Sequence, residues 1–261
     1  MTTLYLDAVS APVRVHLDGP ALRVAREGAA DDRFPLRRLS RVLVRGPVSF
    51  EGESLVACLA AGVGLAFVDG AGARLGTCLP ATVPRDVTVF LLQDAAEAGV
   101  AAAALDAWCR AEERRALIAA VTGLTLRVPD LRRRTVERHV AARLDAVVPA
   151  LGEGLVMRAA ALVDAALATF LVRAGLGWSW QGGRDPALDV RAALGRALEP
   201  RLWPPLATLA GRLGALPPER RRDGRVQRRL AGWFEARWPA LEAEAEAALA
   251  RLRRLLREAL A

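Results

Sequence analysis

A chain of 261 residues with 53% hydrophobic side chains is long enough to bury a substantial core. Its most apolar run, Leu155 to Leu171, is broken by Arg158 and Asp164, which excludes the uninterrupted stretch of about 20 apolar residues that a membrane span needs. The net charge of +8 and pI near 11.0 favour a polyanionic partner, although all 37 basic residues are arginine, a bias that genome composition produces by itself. An arginine surface nevertheless grips phosphate bidentately, whatever put it there. Met1 to Asp7 has no basic region leading an apolar one, so no secretion signal is read and a cytoplasmic protein without a membrane partner is expected. Cys58, Cys78 and Cys109 lie far apart, with no histidine at metal-finger spacing, and predict neither a disulfide framework nor a zinc site.

Punctuation is densest between Leu4 and Leu79. Alternation through Val13-Arg14-Val15-His16-Leu17, a turn at Asp18-Gly19 and renewed alternation through Leu22-Arg23-Val24 predict a β-hairpin. Arg41 to Arg45 is a further strand closed by Gly46-Pro47. Ser54 to Ala61 loses β-branched character and stops at Gly62, as a short helix does. Val63 to Val68 is a buried strand, Asp69-Gly70-Ala71-Gly72 a turn of residues that tolerate positive φ, and Arg74-Leu75-Gly76 carries the chain out. Pro80 and Pro84 end this unit, so the expected division is a β-rich segment over 1–84 and an all-helical one over 85–261.

Val87 to Leu92 reads as a last strand or as the entry to the next element. Ala101 to Val121 predicts an amphipathic helix ending near Gly123. Leu131 to Val148 predicts a more charged one carrying Arg132, Arg133, Arg134, Glu137, Arg138, His139 and Arg143; its arginines either line a DNA groove or form a solvated face. Leu155 to Ala174 is the most apolar helix, and the glycine- and indole-rich loop Trp178 to Pro186 follows. A helix from Asp189 to Leu198 meets a kink or boundary at Pro200 to Pro205 before Leu206 to Leu213. Arg220-Arg221-Arg222 sits in a basic loop, and Val226 to Trp238 and Leu241 to Leu260 are terminal helices. The tryptophans suit stacking on unpaired bases, but packing is their commoner use.

The succession Leu4-Tyr5-Leu6, Leu36 to Val42, Gly46-Pro47-Val48-Ser49, a short helix, Gly62 to Asp69 and Gly72 to Gly76 resembles the amino-terminal β domain of the CRISPR-associated Cas1 integrase family, whose members insert new spacers into CRISPR arrays. The resemblance continues more weakly through Ala159 to Leu176 and Ala197-Leu198-Glu199-Pro200. It implies an α+β protein of two domains, a β-sandwich-like one and a larger helical one. It also implies a homodimer formed through the β-domain side, prespacer and repeat DNA and the small Cas2 protein as partners, and a magnesium or manganese ion held by a glutamate, a histidine and an aspartate. Such an ion wants hard oxygen donors with at most an imidazole, because it must orient a hydroxyl and stabilise charge on the leaving oxygen.

This chain departs from that pattern at two of the three ligands. Gln181, within Trp180 to Gly183, stands in the loop where the family has its histidine, and Arg196 stands three residues before the Glu199-Pro200 pair where the family has its aspartate. A guanidinium cannot ligate a metal and adds positive charge. Glu137, followed by Ala141-Ala142-Arg143, is the nearest candidate for the glutamate; pairing with Arg133 or Arg134 at helical spacing is its plainer role. His139 with Asp185 or Asp189 is a shifted alternative. Other signatures are missing: Gly70-Ala71-Gly72 with Gly76 is not a dinucleotide fingerprint, and no phosphate loop exists without a lysine. The leading expectation is a DNA-binding spacer-acquisition protein with a degraded metal site, using Arg132, Arg133, Arg134, Arg220, Arg221 and Arg222 on DNA. An active integrase with displaced ligands and a protein-interaction scaffold are the alternatives.

Overall fold

The computed structural model describes residues 2–9, 11–70, 72, 74–81, 87–149, 152–177, 189–217 and 223–261. Gln181, Asp185, Trp178, Trp180 and Arg220 to Arg222 therefore lie outside the described residues.

Among the described residues eight strands come first: β1 (Thr2–Asp7), β2 (Val13–Asp18), β3 (Ala21–Arg26), β4 (Asp32–Pro35), β5 (Leu39–Arg45), β6 (Val48–Phe50), β7 (Gly64–Val68) and β8 (Arg74–Cys78), with helix α1 (Gly52–Ala60) between β6 and β7. They form two four-stranded sheets, ordered β1-β5-β7-β8 and β4-β3-β2-β6. The first is parallel except for β8; in the second, β2 and β3 are the predicted hairpin, in register from Val13 opposite Arg26 to Asp18 opposite Ala21. Gly46, at φ +80°, makes the turn out of β5 against the β1 exit, where an added Cβ would stand 3.0 Å from the Val9 nitrogen.

The two-residue period of the strands decides where each face goes. Leu4, Leu6, Val42, Val44 and Leu65 pack against Val13, Val15, Leu22 and Val24 of the second sheet. Their neighbours Leu43, Ala66 and Val68, with Tyr5 partly buried, join the core of the helices instead. One sheet is thus covered on both faces, by the other sheet and by helices.

The described residues after β8 form helices α2 (Val87–Glu97), α3 (Ala101–Leu124), α4 (Arg133–Asp145), α5 (Gly152–Arg173), α6 (Val190–Gly214), α7 (Asp223–Glu235) and α8 (Trp238–Leu260) with their connections. Val87 to Leu92, open between strand and helix from sequence, opens α2, because Val89, Leu92 and Ala95 fall on one helical stripe and are buried together. Helix α5 is long and apolar enough to cross a bilayer, yet 67% of its most apolar window is buried within the protein.

Of the kink or boundary expected at Pro200 to Pro205, the boundary is corrected: α6 continues through Pro200, Pro204 and Pro205. A proline inside a helix costs about 3 kcal/mol. Here Leu194, Leu198, Leu202, Trp203, Leu206 and Leu213 of the same helix are all buried, and burial of one such side chain returns roughly 1.5–3 kcal/mol. The aligned burial of both halves outweighs the lost backbone bonds.

Charged pairs tie the layers together. Arg41 of β5, 4% exposed, reaches Glu235 of α7 at 2.5 Å, and Thr3 of β1 donates to the same carboxylate oxygen. The guanidinium also lies 5.2 Å from the Trp238 ring and 5.6 Å from that of Phe234. In α3, Glu112 is 2% exposed and accepts two bonds from Arg251 of α8, at 2.6 and 3.0 Å, and one from Arg115. Burial works to raise its pKa, but the Arg251 and Arg115 bonds prevail and hold the carboxyl below its ordinary range. Trp203, Trp238 and Trp108 are core residues, and the Trp108 indole donates to the Ala248 carbonyl, so packing is their role.

Glu235→Ala strands a buried cation, and its cost in urea denaturation is expected to be about 3 kcal/mol, most of it recovered in the double variant R41M/E235M. A loss below about 1 kcal/mol for the single variant would refute the clamp.

Candidate functional site

Helices α4, α5 and α6 enclose an open groove of about 800 Å³. Arg134, Glu137, Arg138 and Asp145 reach it from α4, Glu153, Val156 and Met157 from α5, and Glu199 from α6. Spacings of three and four residues place Arg134, Glu137, Arg138 and Ala141 on one side of α4, which is why one turn of sequence lines one wall.

Two of the groove's carboxylates, Glu137 and Glu199, share a single guanidinium. Arg133, the first residue of α4, donates from Nε to Glu137 Oε1 at 2.7 Å, as the helical spacing predicts. Its Nη2 meets Glu199 Oε2 of α6, and its Nη1 lies 3.4 Å from Glu113 Oε1 of α3. Nη1 also donates to the Arg196 carbonyl at 3.1 Å. That carbonyl is the one whose helical donor would be the N–H of residue 200, and Pro200 has none. The proline thus leaves an acceptor open and Arg133 fills it. Beneath the guanidinium, the Trp203 ring lies 6.0 Å away.

The electrostatics follow from this crowding. Burial, with Glu137 and Asp164 adding negative charge, pushes the Glu199 carboxyl up to about 6 in spite of its contact with Arg133. Burial opposes the charge on Arg133, but Glu199, Glu137 and Glu113 outweigh it and hold that group above its ordinary range. Three carboxylates thus share one cation, and Glu199, in contact with it and 21% exposed, carries the strain.

The other residues singled out from sequence are spent elsewhere. Arg196 turns its guanidinium to the Cys109 thiol, with Nε and Nη2 at 3.1 and 3.0 Å from Sγ, and only its backbone carbonyl joins the Arg133 cluster. The ring nitrogen Nδ1 of His139 is 2.8 Å from the Thr135 carbonyl, and His139 does not line the groove. Asp189 caps α6 by accepting from the Ala192 N–H at 2.9 Å. Asp145 accepts from the Gly152 N–H at 2.6 Å, fixing the start of α5. Arg132 is exposed, and Arg134 and Arg138 are exposed at the groove rim, whereas the Arg133 side chain is only 22% exposed. Sequence reasoning missed Glu113, Glu153 and Glu199 as site residues. The signal present was Glu199-Pro200, whose proline marks the orphaned carbonyl.

Among the described residues no group of three or more His, Cys, Asp or Glu side chains is arranged to hold a metal ion. Glu137 and Glu199, the carboxylates best placed to offer oxygen donors, bond to Arg133 instead. The described residues of the groove therefore do not fit the divalent ion that the resemblance implies.

Because the folded state raises the Glu199 pKa from 4.5 to about 6, the native protein holds a proton that the unfolded chain releases, and stability falls as pH rises through that window. At about 1.4 kcal/mol per pKa unit the loss reaches about 2 kcal/mol by neutral pH. The stability of Glu199→Gln relative to the parent is expected to rise by that amount between pH 4.5 and 7 in urea titrations, and a pH-independent difference would contradict the assignment.

Comparison with known proteins places this geometry. Residues 8–112 match the family model described as CRISPR associated protein Cas1. No curated protein matches the chain. A solved CAS1 protein from Thermotoga maritima superposes with a TM-score of 0.75 at 12% identity, covering 97% of this chain and 96% of that one. A TtCas1–DNA complex superposes with a TM-score of 0.56 at 14% identity over 98% and 92% of the two chains. A Cas6-RT-Cas1–Cas2 complex does so at 0.64 and 13% identity, over 98% of this chain and 35% of that one. At such identities superposition speaks for the fold alone. Residues 8–112, from the end of β1 into α3, thus carry the sequence pattern of CRISPR associated protein Cas1, and the chain as a whole shares the fold of solved Cas1 proteins.

Proposed function

We propose that this protein is a CRISPR adaptation protein that binds prespacer or repeat DNA with an integrase-like fold whose catalytic pocket has been degraded. The observation that carries the reading is the convergence of Glu137, Glu199 and Glu113 on Arg133, beneath the exposed arginines of α4. An acidic groove repels phosphate, and Arg133 offsets part of its negative charge from within. The exposed Arg132, Arg134 and Arg138 then meet the DNA backbone, Arg132 exchanging its 4.0 Å pairing with Asp130 for phosphate, with Arg220 to Arg222 as a second basic contact. The degraded state is supported by the side chain of Arg196, which lies on Cys109, and by the commitments of His139 and Asp189.

In this reading residues 1–84 and 85–261 act as two domains, and the protein works in the cytoplasm as a homodimer joined through its β-domain side. Exposed Val56 and Leu75 are apolar surface available there. The solved complexes with DNA and with Cas2 support partners of the same kinds.

The test is binding of branched duplex DNA by fluorescence anisotropy across a salt series, with and without manganese. Affinity is expected to fall steeply with salt, and the triple variant R132A/R134A/R138A to lower the log–log slope by about two to three, close to one for each phosphate that is no longer neutralised. No strand cleavage or joining is expected. Salt-insensitive or absent binding would replace this reading with that of a protein-interaction scaffold. Manganese-dependent joining that disappears in Glu137→Ala would replace it with that of an active integrase using displaced ligands.

A further inference from the structure

We propose that the cavity between the start of β5, the end of α5 and the α7–α8 junction is a binding site for a nucleoside monophosphate, with Arg41 and Arg173 as the cations that meet its phosphate.

The cavity holds about 330 Å³, and Ser40, Arg41, Arg173, Glu235, Trp238 and Glu242 are among its walls. Small-molecule pockets run from about 300 to 1,000 Å³. The place is distinct from the groove beside α4: Met157 of that groove and Arg173 stand roughly 24 Å apart along α5, at the helical rise of about 1.5 Å per residue.

A break in strand pairing builds the phosphate end. Along the β1–β5 ladder Thr2 stands opposite Leu39 and Thr3 opposite Arg41, so Ser40 is an extra residue in β5. Such an insertion interrupts the alternation of faces and re-aims side chains, which is why the consecutive residues Ser40 and Arg41 line one cavity. The Ser40 hydroxyl is buried without a hydrogen-bond partner, and so is Arg41 Nε. A buried donor without an acceptor is costly, and an oxyanion supplies the acceptor.

Charge points the same way. The Arg41 side chain is 4% exposed, and burial, with Arg173 adding positive charge, holds it below its ordinary range although Glu235 and Glu242 oppose the shift. Negative charge is therefore in short supply around it. Each guanidinium engages a carboxylate through Nη2, Arg41 with Glu235 and Arg173 with Glu242, which leaves further donors in the plane of both. Arg41 and Thr3 reach Glu235 through Oε1, and Arg173 reaches Glu242 through Oε1, so the second oxygen of each carboxylate remains to accept from a ribose hydroxyl. Leu39, Trp238 and Pro239 add apolar wall for a base. A bare anion leaves the carboxylates and the apolar wall unused, whereas a nucleoside monophosphate engages all three kinds of surface.

The experiment is calorimetric titration of the full chain with AMP, with adenosine and inorganic phosphate as the two halves of the ligand. AMP is expected to bind once per chain, and each half at least roughly 10-fold more weakly. Arg173→Ala, at a side chain 54% exposed and so outside the core, should weaken AMP roughly 10- to 100-fold, as loss of a charge-assisted contact does. R132A/R134A/R138A should bind AMP as the parent does. Absence of AMP binding at millimolar concentration overturns the proposal, as does adenosine or phosphate binding as tightly as AMP. An AMP affinity kept in R173A or lost in the triple variant overturns it as well.

Should R173A fail to fold, Ala61→Trp decides, because it fills an exposed point of the cavity wall and alters no charge. Loss of AMP binding there supports the proposal, and retention overturns it. None of these readouts involves DNA, so failure of DNA binding strikes the functional reading and leaves this site to stand or fall separately.

Discussion

Where α3, α4 and α6 meet, three carboxylates and one carbonyl oxygen depend on a single guanidinium, and the helical half of the protein is arranged to keep that guanidinium in place. Glu113, Glu137 and Glu199 could not be held so close without a cation among them, and Arg133 is partly buried at the point of convergence. The proline-bearing helix α6 contributes twice, through Glu199 and through the carbonyl that Pro200 leaves without a backbone donor. A feature that reads as a helix breaker is here part of how the pocket is made.

The same chemistry recurs as a means of joining layers. Arg41 fixes the first sheet to α7, and Arg251 fixes α8 to α3 through Glu112, which Arg115 of α3 itself also contacts. In a chain whose only basic residue besides histidine is arginine, a compositional bias supplies planar, permanently charged groups wherever buried carboxylates occur. Net charge therefore overstates the surface available to DNA, because several arginines are turned inward. Arg132, Arg134 and Arg138 stay outside while Arg133, in the middle of the same run, does not, and one short basic stretch is thereby split between recognition and structure.

The β half was largely legible. Alternation through Val13 to Val24, the Gly46 and Gly62 stops and the apolar run to Val68 each state a local preference that the two sheets simply realise. Legibility fell where local preference competes with packing. Val87 to Leu92 is β-branched in texture and helical in fact, because its buried stripe has helical spacing once α2 lies in the core. The prolines of α6 favour a break locally, and long-range burial of Leu194 through Leu213 overrides them.

For the site, sequence alone narrowed the partner of Glu137 to Arg133 or Arg134, since three and four residues along a helix are fixed separations, and it determined that Arg196 cannot serve as a metal ligand. It could not reveal Glu113 and Glu199 as partners of the same arginine, because they lie 20 residues before it and 66 after it and meet only when three helices pack. Nor could it show which cation in an arginine-rich helix turns inward. That choice depends on the depth of the groove, the orphaned carbonyl of α6 and the indole beneath it, all of which are products of tertiary packing rather than of any local pattern.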